Sequence, residues 1–244
     1  MAVAVMIATL GTVAVNFLAA TGRINGVMPN EVSDRYPTIL TPAGWTFSIW
    51  SLIYLGLIAF CISQLLPSRS ERFDRLRIPY IVSCILNCLW IVLWHHWHPV
   101  LCFLVIAALL GSLIWINLCI GRPESPAVSI VAKGVFGLYA GWVTVATLVN
   151  LLVAIVASGA QLSASAWNVI GVVCLTIALV AAVVARLKLT NFIYPLAISW
   201  AAAGIGAEQS GKNTAIVVAT AIACIGALIV SGTIVTELRD STSE

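Results

Sequence analysis

Residues Leu138 to Asn150 read LYAGWVTVATLVN. The stretch is almost wholly apolar, yet it carries Tyr139, Trp142, Thr144, Thr147 and Asn150. On a helix of 3.6 residues per turn, Tyr139, Val143, Ala146 and Asn150 share one stripe and Trp142 flanks it. Polar groups at membrane depth cost free energy unless they find partners, so such a stripe belongs toward a bundle interior. Whether it lies at membrane depth depends on the rest of the chain.

The chain has 244 residues, of which 61% are hydrophobic and only 9% charged. Its mean hydropathy is +1.06. A soluble domain is nearer one-quarter charged, and here the shortage extends along the whole chain. The apolar runs are long and continuous, which excludes the alternating short segments of a β-barrel. The fold class is therefore all-α, a polytopic membrane helical bundle, integral and multi-pass, with the lipid bilayer as its surroundings. Nothing marks nucleic acid as a partner. The seven cysteines all fall inside apolar segments, and Cys84 and Cys88 are spaced too widely for a CxxC motif.

A bilayer calls for roughly 20 apolar residues per helix. Charged and turn-forming clusters then place spans at about 2–20, 45–66, 78–96, 99–120, 130–156, 167–186, 190–207 and 213–236, eight in all. Pro99 starts the fourth span after HHWH, and SGAQLSAS separates the fifth from the sixth. The seventh is short and carries Pro195. Loops on the N-terminal side hold Arg69, Arg72, Arg75, Arg77, Arg122, Lys133, Arg186, Lys188 and Arg239, against Arg23, Arg35 and Lys212 on the other. This asymmetry puts both termini in the cytoplasm. No Lys or Arg precedes the first apolar run, so the positive region of a cleaved signal peptide is missing. Only the tail, RDSTSE, reads as disordered.

Asn16, Asn87, Asn117 and Asn150 are the amides expected to face the interior. In the third span Asn87, Trp90 and Trp94 lie on one face, and in the second Trp50 and Tyr54 are four apart. Three helices thus present aromatic and polar faces. They fit a packed bundle in which amides join helices and tryptophans form interfacial belts, or a cavity walled by indoles. Gly137 and Gly141 form a G-x-x-x-G pair that lets another helix approach, within the chain or in a second copy of it as a homodimer. His95, His96 and His98 read as a wet interfacial loop, with no three-ligand metal geometry. No Ser/His/Asp arrangement, phosphate loop or intramembrane carboxylate pair appears, so an enzyme is not expected and no cofactor is required.

Three ordered motifs carry a resemblance. PAGWTFSIWSLIYLGL (Pro42–Leu57), LNCLW (Leu86–Trp90) and LYAGWVTVATLVN resemble the second, third and fifth helices of the tryptophan-rich sensory protein / translocator protein (TspO/MBR) family. The resemblance implies a five-helix core over residues 1–157 and, outside it, a C-terminal three-helix membrane extension over 158–244. The family binds porphyrins and other hydrophobic ligands within its five helices. By position this puts Trp50, Tyr54, Asn87, Trp90, Trp142 and Asn150 at or near a ligand cavity. The chain departs from the family's W-x-P-P loop, present only as TPAGW, and has WHHWH where the family has F-F. The family's cholesterol pattern has no match, since no Tyr is followed within five residues by Lys or Arg. The expected function is binding of a hydrophobic or tetrapyrrole (porphyrin)-like molecule as sensor, carrier or regulator. The alternatives are a small-metabolite transporter and a membrane scaffold that binds nothing.

Overall fold

The computed structural model describes residues 1–64, 74–121 and 129–241. Among them the chain is helical, with α1 (Ala2–Ala20), α2 (Pro29–Arg35), a 3-10 turn (Gly44–Ser48) running into α3 (Ile49–Ser63), α4 (Asp74–His95) and α5 (Pro99–Ile120). A π turn (Ser129–Lys133) leads into α6 (Gly134–Ala157), followed by α7 (Ala164–Lys188), α8 (Ile193–Gln209) and α9 (Thr214–Ser241). Arg69, Arg72 and Arg122, counted in the charge asymmetry, lie outside the described residues.

Among the described residues seven helical segments are long and apolar enough to cross a membrane. The eighth expected span is α8, whose 17 residues rise roughly 26 Å, short of a hydrocarbon core of about 30 Å. It is nevertheless an interior helix that packs on α6, α7, α9 and the 3-10 turn. The chain is thus an integral, multi-pass membrane helical bundle. α4 begins at Asp74, a turn earlier than expected, because Asp74 pairs with Arg77 across that first turn. α9 continues through Ser241 into the tail expected to be disordered, since a helix already nucleated by an apolar span adds residues at little cost.

Polar pairs fix the helix order. Thr9 Oγ1 meets Tyr80 Oη at 2.6 Å, and seven residues later Asn16 Nδ2 donates to Asn87 Oδ1 at 2.6 Å. The same step of seven on both chains means that α1 and α4 run parallel, with α3 returning between them in sequence. Asn191, just before α8 and fully buried, donates to Asn117 Oδ1 on α5 and to the Lys133 carbonyl, both at 2.9 Å. Its own Oδ1 accepts from the backbone N–H groups of Ile193 and Tyr194. Lys133 Nζ donates to the Thr190 carbonyl at 3.2 Å. The starts of α6 and α8 therefore lie at the same end of the bundle.

The glycine pair is used within the chain. A Cβ at Gly137 would overlap the Asn191 side chain, and one at Gly141 would overlap the Tyr194 carbonyl oxygen. This contact places α8 against α6, and the buried core runs unbroken across the 157/158 boundary, joining Val143 and Leu152 to Ala197 and Ile198. All seven cysteines are free.

Candidate functional site

The two halves of the bundle differ. Toward the α3–α4 end, Phe60, Tyr80 and Phe136 are fully buried and pack ring on ring, with centroids 4.9–5.9 Å apart. Their rings close the centre of that half. In the other half the helices enclose a cavity of about 410 Å³, within the size range of small-molecule sites. α1, α3, α4, α6 and α8 all contribute to its wall, and Pro29 and Ser33 of α2 close one end.

Trp50 is the hub of this wall. Its ring stacks on Tyr54 (5.6 Å) and Trp90 (6.1 Å) and meets Tyr139 and Trp142 edge-on at 5.8 and 6.1 Å. Trp90 stacks in turn on Trp94 at 6.0 Å, and Phe47 meets Trp142 edge-on at 6.0 Å. Such contacts restrict each ring's rotamer, so the indoles form a fixed surface. Hydrogen bonds add to this. Trp90 Nε1 donates to Asn150 Oδ1 at 3.1 Å, and Trp94 Nε1 donates to the Pro29 carbonyl at 3.1 Å, which ties α2 down as a cap.

Of the six residues carried over by position, Trp50, Tyr54, Trp90, Trp142 and Asn150 line the cavity. Asn87 does not. It is fully buried behind the wall, accepts from Asn16 Nδ2 and donates to Tyr139 Oη at 2.8 Å. Its spacing with Trp90 placed it on the right face, but it sits one turn too deep, where α1 and α6 close over it. Asn16, Phe47, Trp94, Ala201 and Ile205 join the wall instead. Asn16 and Trp94 were visible as a lone amide in an apolar span and as the end of the Trp90 face. Ala201 and Ile205 carry no polar signal, and only the packing of α8 brings them in. α2 does have a sequence signature, with Pro29 at its start and Glu31 two residues on, whose Oε2 accepts from the Met28 N–H at 2.7 Å.

Phe17, Ala20 and Ser51 line the cavity and are also exposed, so it reaches the surface between α1 and α3. Among the described residues no Lys, Arg, His, Asp or Glu lines it. The histidine cluster lies outside it and is not uniformly wet. His95 is fully buried, its Nδ1–H donates to the Ile91 carbonyl at 2.7 Å, and its own carbonyl accepts from Asn25 Nδ2. His95 ends α4 on the same buried face as Ile91; in the turn that follows, Trp97 takes a left-handed backbone (φ +61°), its ring covered by the Arg35 guanidinium at 4.7 Å. His96 and His98 are exposed.

No curated protein and no solved structure matches the chain. A family does. Residues 2–234, from the first span through most of α9, match the family described as TSPO-like protein, in agreement with the three ordered motifs. The chain belongs to the TSPO-like protein family.

Proposed function

We propose that this protein binds a hydrophobic, tetrapyrrole-like small molecule in the tryptophan-walled cavity and acts as a sensor, carrier or regulator, not as an enzyme. The observation that carries this reading is the cavity of about 410 Å³ bounded by Trp50, Trp90, Trp94 and Trp142. A flat apolar ligand gains from stacking on indole faces and from leaving water. The family supports the same reading, because five of the six positions given by the motifs reach the wall. Against transport across the bilayer stands the ring cluster of Phe60, Tyr80 and Phe136, which closes the centre of the other half of the bundle. Both termini belong on the cytoplasmic side. Lys133 and the end of α7, with Arg186 and Lys188, gather at the α6–α8 start, as the positive-inside rule requires of a cytoplasmic end.

Titrating protoporphyrin into the detergent-purified protein while following tryptophan fluorescence tests this. Saturable quenching is expected, weakened by Trp90→Ala and by Trp142→Ala. A quenching curve that neither substitution moves refutes the site.

A further inference from the structure

The wall of the cavity is aromatic, but its polar atoms are not evenly available. Trp90 and Trp94 have their N–H groups engaged by Asn150 and Pro29. Trp142 Nε1 is buried without a hydrogen-bond partner. Asn150 is held at both amide atoms, with Nδ2 donating to the Ala146 carbonyl at 2.8 Å. Asn16 differs. Its Nδ2 donates to the Thr12 carbonyl at 2.9 Å and to Asn87 Oδ1 at 2.6 Å, which uses both amide hydrogens. A carbonyl can only accept, so the Thr12 contact fixes which amide atom is the nitrogen. The atom left over is Oδ1, which accepts no hydrogen bond from any described residue and is not among the sealed polar atoms. Asn16 is only 8% exposed, and it lines the cavity.

A buried amide oxygen with two free lone pairs calls for a donor. An ionised group on the ligand would find no countercharge, because the wall holds no charged side chain and a charge stripped of water needs a partner. We propose that the cavity selects an uncharged ligand that donates an N–H or O–H hydrogen bond to Asn16 Oδ1. This rests on the reading that the cavity is a ligand site. In a tetrapyrrole the pyrrole N–H groups are donors of this kind, whereas free carboxylates would stay outside, at the α1–α3 opening. Asn16 then links ligand to fold, since Asn87 and Tyr139 continue the chain of bonds from α1 through α4 to α6.

Three flat probes of nearly one shape test this by tryptophan quenching: carbazole, which donates through N–H; dibenzofuran, which has oxygen in its place; and an ionised carbazole carboxylate. In the wild-type protein carbazole is expected to bind about tenfold more tightly than dibenzofuran, the measure of one hydrogen bond, and the carboxylate more weakly than both. In Asn16→Leu the preference for carbazole over dibenzofuran disappears. The wild-type comparison decides the matter even if that variant fails to fold. Equal binding of carbazole and dibenzofuran, or tightest binding by the carboxylate, overturns the proposal. If Trp142→Ala still weakens the probes in that case, the cavity stands and only its selectivity was misread. If Trp142→Ala weakens none of them, the cavity reading fails and this inference fails with it.

Discussion

Gly141 on α6 lies flat against the carbonyl oxygen of Tyr194 on α8, so close that a single Cβ would overlap it. A backbone carbonyl cannot swing aside as a side chain can, so the helices would have to separate. Gly141→Ala is expected to cost about 1–3 kcal/mol. Gly111→Ala, on α5 with nothing within 4 Å, is expected to gain about 0.5–1 kcal/mol from the better helix residue. Thermal unfolding in detergent gives opposite shifts for the two variants. Equal shifts would mean that α8 does not pack this closely on α6.

Asn87 separates stability from binding. Replacing it by Leu leaves Asn16 Nδ2 and Tyr139 Oη without their partner, at a cost of about 1–3 kcal/mol. It does not itself line the cavity but holds Asn16, which does, so quenching by protoporphyrin weakens less in folded Asn87→Leu protein than in Trp90→Ala protein. A loss of affinity as large as that of Trp90→Ala would place Asn87 in the wall after all.

Trp90 and Asn150 behave as a pair. Trp90→Phe removes the N–H and leaves Asn150 Oδ1 unpaired, whereas Asn150→Leu strands the indole N–H. Each is expected to lose about 1 kcal/mol or more of stability. The double variant should lose less than the sum, since neither group is then left without its partner. A double-mutant cycle by chemical unfolding measures the coupling, and strict additivity would refute the bond.

Ala201 tests whether the C-terminal helices belong to the site. It is buried on α8 and lines the cavity, so Ala201→Phe puts a ring into space a ligand needs. Protoporphyrin affinity is expected to fall by about tenfold or more, with the far-ultraviolet spectrum of the helices unchanged. Unaltered affinity would confine the site to residues 1–157.

Asn191 ties three helices together through four hydrogen bonds. Asn191→Ala is expected to cost at least about 2 kcal/mol, because it strands several buried groups at once. Asn25→Ala, which breaks one partly buried bond to the His95 carbonyl, should cost about 1 kcal/mol or less. Comparing the two midpoints checks whether the α5–α6–α8 junction holds the bundle together.

The class, the spans and the faces of α3, α4 and α6 were legible in the sequence, because bilayer thickness and the 3.6-residue period act on each helix separately. LYAGWVTVATLVN showed by itself that one side of α6 needs protein neighbours and that its glycines need a close one. Which neighbour comes close is not a property of any single helix. Tertiary packing brought α8 against Gly137 and Gly141, placed Asn87 behind the wall and Asn16 in it, and left one amide oxygen open to the cavity. Hydrophobic pattern says which face is buried, but the depth of a residue on that face, and whether its hydrogen bonds are used up, depend on the helices packed against it.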